Sequence, residues 1–226
     1  MTDFTLPSAS VSDRLEWGAS VVEQRRGTPY ERWLKPAIDR LIAAALLVAL
    51  LPVITGIALT LLATLGSPIV LRQRRVGRDG QIFPMFKFRT MLPDRRATPH
   101  SFSHEDRRTQ HKTTKDPRHT PIGRILRRYS LDELPQLWNV ICGHMSLVGP
   151  RPELDHVVAR YAEWQHVRHQ VKPGITGLWQ VTARGQGDGD MHEYTELDLE
   201  YLRSVTLGTD LKILVRTPLA ALGKGS

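Results

Sequence analysis

Hydrophobic and polar positions are spread very unevenly along this chain. Across residues 41–71 no side chain is ionisable, and residues 41–65 alone would make a straight helix of roughly 37 Å. A bilayer core is about 30 Å thick, so the length suits a membrane segment. The run starts too late and is too long for a secretory signal. Pro52 sits near its middle, where it removes a backbone donor and clashes with the preceding turn; Gly56 follows one turn later. Both flanks are basic, with Arg25, Arg26, Arg32, Lys35 and Arg40 before the run and Arg72, Arg74, Arg75 and Arg78 after it. Positive flanks tend to stay cytoplasmic. That favours a re-entrant helix broken at Pro52 over a kinked spanning helix, the alternative the same residues allow.

Residues 1–36 are polar apart from a short amphipathic stretch around Leu15, Trp17, Val21 and Val22. They read as a mostly flexible extension with room for one surface helix. After the apolar run, Arg78-Asp79-Gly80 predicts a turn between two short strands. The second strand, 82–90, alternates from Met85 onward: Met85, Lys87 and Arg89 on one face, Phe86 and Phe88 on the other. Residues 93–121 lack periodicity and read as a long loop. Helical spacing returns at Ile122, Ile125 and Leu126. Ser130 and Glu133 then have the spacing of a capping box, opening a helix with a Leu134, Leu137, Trp138 and Ile141 stripe. Two prolines make 149–152 a rigid turn presenting Arg151. One helix is predicted over 153–171, turns and a short strand over 172–181, a flexible acidic loop over 185–190, and a helix from Met191 to about Arg203 with more helix at the end. The fold class is α+β, mostly helical. It divides into the extension 1–36, a re-entrant membrane helix 37–67, and a compact cytoplasmic domain 68–226 with short strands.

The net charge of +8 is localised: residues 72–129 hold 16 basic and 5 acidic side chains, against 6 and 6 before them and 9 and 12 after. A basic block beside an apolar run suits an anionic membrane face, phosphorylated substrates or a nucleic acid, and a solvated basic face is the plain alternative. The lone cysteine, Cys142, excludes an internal disulfide framework and a cysteine zinc site, and reads as a small buried hydrophobe. His100, His104, His111 and His119 match no zinc spacing. Neither a P-loop nor a G-x-S-x-G elbow occurs.

Two adjacent carboxylates, Asp132 and Glu133, follow Arg127 and Arg128. Such a set suits a hard divalent cation and phosphate oxygens, and a carboxylate can attack phosphorus. The plain alternative is capping and complementing a helix dipole. Two other functions fit parts of the pattern: a membrane-tethered nucleic-acid binder, from the basic block, and a non-catalytic membrane-anchored scaffold.

Five ordered segments carry a resemblance: 71–77 (LRQRRVG), 87–91 (KFRTM), 130–139 (SLDELPQLWN), 145–152 (MSLVGPRP) and 172–177 (KPGITG). From about Pro36 to about Thr217 the chain resembles bacterial sugar transferases of the monotopic phosphoglycosyl transferase family, in their short form. The resemblance implies transfer of a sugar-1-phosphate from a nucleotide sugar, expected to be a UDP-hexose, to undecaprenyl or another polyprenyl phosphate. It implies Mg2+ as cofactor, a covalent aspartyl-phosphate sugar intermediate, and release of a nucleoside monophosphate. It makes Asp132 the nucleophile, with Glu133 beside it holding magnesium or tuning Asp132. Lys87, Arg127, Arg151 and Arg184 become phosphate-binding cations, with Asp210 in support and Pro52 as the membrane helix break. The expected place is the bacterial inner membrane with the catalytic domain on its cytoplasmic face. Partners are the two substrates and membrane lipid, with no nucleic acid, and a homodimer is compatible with it. Leu51 and His144 depart from the family, which often has serine and an acidic residue there.

Overall fold

The computed structural model describes residues 11–24, 27–92, 120–182 and 191–222. The expected loop over 93–121, with its four histidines, and the acidic loop 185–190 lie almost wholly outside the described residues.

The apolar run folds as two helices, α2 (Lys35–Ala49) and α3 (Leu51–Leu65), bent by 62°. Leu50 is the elbow (φ −91°, ψ 2°), and Pro52 falls in the first turn of α3, where a missing N–H costs least. Each leg is about 22 Å long, and no single helix among the described residues is long and apolar enough to cross a membrane. A single turn of π-helix, Tyr30–Leu34, leads into α2. Lys35, Asp39 and Ala43 are buried at the start of α2, and Leu61 is buried near the end of α3. The elbow between them is bare: Val48 is 73% exposed, and Leu51 and Val53 are exposed too. Thr60 and Thr64 turn their hydroxyls back onto the carbonyls of Gly56 and Thr60, so these donors are satisfied within the helix.

Strands β1 (Val70–Val76) and β2 (Ile82–Phe88) form the predicted antiparallel hairpin, with Leu71 opposite Lys87 and Arg75 opposite Phe83. Asp79 and Gly80 turn it at positive φ. The short β4 (Glu153–Leu154) adds to the other edge of β1, giving the order β2-β1-β4. A second, parallel pair joins β3 (Ser146–Val148) to β5 (Gly174–Thr176). Beneath the sheet a main core gathers Phe83, Met85, Leu137, Val140, Leu147 and Tyr201; a satellite core joins Leu61 to Phe88 and Leu126. Both faces of β2 are therefore partly apolar. Arg89 does not extend a cationic face: buried, it donates to the carbonyls of Leu65 and Gly66, the latter at 2.7 Å, and caps the end of α3.

Several expectations are corrected. Within the supposed flexible extension, residues 11–24 form α1, whose Val21 is 1% exposed in the main core and whose Arg14 pairs with Glu196 at 2.9 Å. Ser130 stands in the left-handed region (φ 56°) and makes no cap bond to the turn Leu131–Glu133. Helix α5 starts only after Pro135, at Gln136–Ile141, and there Asn139 is buried while Trp138 is half exposed. The single helix over 153–171 breaks into β4, α6 (Asp155–Val158), α7 (Glu163–His166) and a 3-10 turn, because Glu153 and Leu154 pair with Val76 and Arg75 instead. Residues 178–182, expected as turn or strand, form α8 (Leu178–Thr182). Cys142 is exposed where the chain leaves α5 for the left-handed Gly143. Helices α9 (Met191–Arg203) and α10 (Leu207–Leu222) complete the helical majority.

Candidate active site

Four elements converge beside the end of α3. Strand β2 contributes Lys87, and α4 (Pro121–Arg128) contributes Arg127. The Leu131–Glu133 turn contributes both carboxylates, and the turn after β3 contributes Arg151. Helix α4 starts cleanly because the Thr120 hydroxyl accepts from the Gly123 amide at 3.0 Å. It also lies so close to β2 that a Cβ on Gly123 would sit 2.0 Å from the Thr90 carbonyl oxygen.

Lys87 stands between the carboxylates, its Nζ 2.9 Å from Asp132 Oδ2 and 3.3 Å from Glu133 Oε1. Arg151 Nη2 reaches the same Glu133 oxygen at 3.2 Å, and its guanidinium lies 6.0 Å from the Trp179 ring. Arg127 hydrogen-bonds the Thr90 hydroxyl at 2.9 Å and the Met91 sulfur at 3.2 Å, and acts on Asp132 through its field. The structure thus groups Lys87, Asp132, Glu133 and Arg151, with Arg127 alongside. Arg184 lies outside the described residues. Asp210 joins another cluster: it accepts from Tyr30 (2.6 Å), Lys35 (2.6 Å) and Tyr201 (2.7 Å). Lys35 also meets Asp39, which takes the Ser146 hydroxyl. That network ties the start of α2 to α9, α10 and β3.

Asp132 is 2% exposed. Burial pushes its carboxyl above the usual range, the Lys87 ammonium pulls it back, and the Glu133 charge adds to the rise. The 2.9 Å contact from Lys87 to Asp132 Oδ2 is poorly aligned as a hydrogen bond, so charge is the larger part of what holds the pair. Glu133 holds the Arg151 guanidinium firmly charged. Among the described residues no three His, Cys, Asp or Glu side chains converge on one point.

Other supports were not legible as site residues. Asn139, fully buried, donates to the Pro84 carbonyl (2.7 Å) and accepts from the Phe86 amide (3.0 Å), clamping β2 just before Lys87. Arg168 donates to the Arg151 carbonyl (2.8 Å) and the Tyr161 hydroxyl (2.6 Å), and pairs with buried Asp198 at 2.5 Å. Asn139 belongs to the SLDELPQLWN segment, which is its only sequence signal; Arg168 and Asp198 give none.

Residues 30–224 match the family model for bacterial sugar transferases. The chain is 40% identical over 195 residues to the UDP-glucose:undecaprenyl-phosphate glucose-1-phosphate transferase of Escherichia coli K12, covering 82% of this chain and 39% of that one. It is 40% identical over 158 residues to the undecaprenyl-phosphate galactose phosphotransferase of Salmonella typhimurium, covering 67% of this chain and 33% of that one. The exopolysaccharide production protein ExoY of Sinorhizobium fredii matches at 37% over 199 residues, 85% of this chain and 87% of the relative. Against the first two, the chain spans only a third to two fifths of the relative's length. With the match covering nearly the whole described body, site cluster included, this chain belongs to the bacterial sugar transferase family.

Proposed function

We propose that the chain transfers a sugar-1-phosphate from a UDP-sugar to undecaprenyl or a related polyprenyl phosphate, as the names of its relatives describe for them. The observation that carries the reading is the cluster of Asp132, Glu133, Lys87 and Arg151. It lies where β2 and the satellite core adjoin α3. One Asp132 oxygen attacks the sugar-bearing phosphorus, and the bond to the nucleoside monophosphate breaks with its electron pair leaving on that phosphate. The lipid phosphate oxygen then attacks the same phosphorus and returns Asp132 as carboxylate. Lys87, Arg127 and Arg151 neutralise the phosphates, Lys87 and Arg151 exchanging their present carboxylate contacts for phosphate oxygens.

Magnesium suits the donor set: two hard carboxylates, one with a buried oxygen lacking an aligned donor. It would be held by Asp132 and Glu133 and supply charge neutralisation of the diphosphate. With only two protein ligands, the remaining coordination falls to substrate and water, the usual habit of this ion.

The elbow fits a re-entrant anchor at the cytoplasmic leaflet of the inner membrane. Both ends of the apolar pair are held by the body, through Lys35, Asp39 and Ala43 at one end and Leu61 at the other, while the corner and one face of each leg, Leu41 and Leu59 included, are bare, so both ends stay on one side. Initiation of a surface polysaccharide is the corresponding role. The test is to incubate detergent-purified protein with Mg2+, undecaprenyl phosphate and a panel of nucleotide sugars, and measure released nucleoside monophosphate. Release that needs lipid, Mg2+ and one preferred donor is expected. No release from any donor, by a folded protein, would favour the scaffold reading.

A further inference from the structure

A second basic site lies at the start of the apolar elbow. A cavity of about 330 Å³ opens between the first turns of α2, the β1–β2 turn and the loop before β5, lined by Arg32, Arg40, Arg78 and Lys172. A neighbouring cavity of about 340 Å³, which His144 also lines, shares Arg78 and Lys172 as a common wall. The cationic ends converge: a Cβ placed on Gly143 would meet Arg40 Nη2 at 2.7 Å and Lys172 Nζ at 3.6 Å. Only a glycine leaves that space free, and its φ of +80° suits glycine as well.

These charges are poorly compensated. Among the described residues neither Arg40 nor Lys172 makes an ion pair, while Arg78 has only its exposed sequence neighbour Asp79 at 3.0 Å. Two carboxylates also line the first cavity, Glu31 and Asp39. Asp39 is already engaged by Ser146 and Lys35. Burial and the nearby Arg40 and Arg78 charges hold the Lys172 ammonium below its ordinary range, with Asp39 opposing them only in part. Three like charges gathered around a concavity are an arrangement that an anion relieves.

Position identifies the anion. Arg40 is the last ionisable side chain before the uncharged run, and Trp33, 78% exposed, stands at the cavity with Leu41 bare beyond it. A leg entering hydrocarbon at Leu41 sets the cavity at the headgroup layer. The site is separate from Asp132: Lys87 lies five strand residues, about 17 Å, from the turn end of β2.

We propose that Arg40, Arg78 and Lys172 bind the phosphate of an anionic phospholipid, fixing how deep the first leg sits. The inference rests on the membrane placement proposed above but not on the transfer reaction. The test uses the full chain in neutral detergent, titrated separately with short-chain phosphatidylglycerol, phosphatidylcholine of equal chain length, and inorganic phosphate. Thermal melting and retained lipid by native mass spectrometry are the readouts. Phosphatidylglycerol should raise the melting temperature of wild type, with one molecule retained per chain. The exposed pair of changes Arg40→Gln and Arg78→Gln should weaken this at least tenfold, and Lys172→Gln alone should weaken it as well. Nucleoside monophosphate release in detergent micelles that hold undecaprenyl phosphate and Mg2+ but no phospholipid should be unchanged in the arginine variant, which separates this site from the reaction. Equal phosphatidylglycerol binding by the variants would overturn the proposal. Equal stabilisation by inorganic phosphate would overturn the lipid assignment, and equal stabilisation by phosphatidylcholine would show that the charge is not read.

Discussion

Asp132 and Asp210 are the two most instructive carboxylates in the molecule, because they are equally buried and oppositely treated. Asp210, 4% exposed, takes two donors on Oδ2 and one on Oδ1. Asp132 has a lysine beside Oδ2 that no aligned hydrogen bond joins to it. A carboxylate saturated with donors is a structural joint, since its lone pairs are spent. Asp132, with one ammonium beside Oδ2 in place of three donors, is the carboxylate that the proposed reaction needs with lone pairs to spare.

The comparison breaks most sharply under reciprocal substitution. Asp132→Asn should abolish nucleoside monophosphate release, by at least a thousandfold, and leave melting unchanged or raised, because a buried charge is removed and Lys87 keeps Glu133. Asp210→Ala should do the reverse to stability, costing about 3–5 kcal/mol, because it leaves the buried Lys35 ammonium only the more distant Asp39, at 3.6 Å, and takes away the acceptor of the Tyr30 and Tyr201 hydroxyls. Its melting temperature should fall by well over ten degrees if it folds at all. Normal turnover by Asp132→Asn, or a stable Asp210→Ala, would remove the distinction.

Next in size is Asn139→Ala, read as a positioning residue for Lys87. It deletes two buried hydrogen bonds to β2 and leaves the Phe86 amide unpaired, a cost of about 2–4 kcal/mol. Turnover should fall with it, and its pH profile should move, because Lys87 no longer holds its place against Asp132. A variant that loses stability but keeps the wild-type pH profile would reduce Asn139 to a structural role.

The two carboxylates also show what a sequence carries. The Pro52 break and the β1–β2 hairpin were legible from local chemistry: a missing N–H and a two-residue alternation. The grouping of Asp132 and Glu133 with Lys87 and Arg151 came only with the family resemblance, since Lys87 lies 46 positions before Glu133 and Arg151 lies 18 after it. Asp210 was legible as important but not as the partner of Lys35, 175 positions away. Asn139 and the Arg168–Asp198 pair act through contacts that only the fold creates. The capping box failed because α5 starts only after Pro135, three residues past Glu133, and tertiary pairing of Glu153 with β1 outweighed helical spacing after Arg151. Helix α1 was legible as an amphipathic stretch but not as a packed part of the body, because its partners, Trp164 and α9, lie far along the chain.

A third effect is the pH limb of turnover. The folded state holds the Asp132 carboxyl above its ordinary range, so the acid limb of turnover should lie higher than that of a solvated aspartate. Removing the ammonium in Lys87→Gln takes away the chief opposing charge and should move that limb higher still, on top of its loss of rate. Stability has the matching sign: a raised carboxyl favours the folded state at low pH and loses that advantage as pH climbs through the raised value. Asp132→Asn should lack this loss. An acid limb unchanged in Lys87→Gln would deny that the lysine sets the ionisation of Asp132.

The smallest effect tests the support behind Arg151. His169, packed against Tyr161 with a ring separation of 6.0 Å, is pushed down from 6.5 to about 4 by burial, then by the Arg168 and His166 charges, with Glu153 opposing. The unfolded chain therefore takes a proton first as pH falls from 6.5 toward 4, and folded stability drains over that window. Asp198, on the other side of Arg168, is pushed up to about 7 by burial and slopes the opposite way. His169→Gln removes one slope and leaves the other. The variant should gain on wild type as pH drops from 7 to 4.5, read as a melting-temperature difference that grows toward acid. A difference that stays constant across that range would mean His169 is solvated and does not feel the Arg168 charge, and the pair behind Arg151 would then be looser than its distances imply.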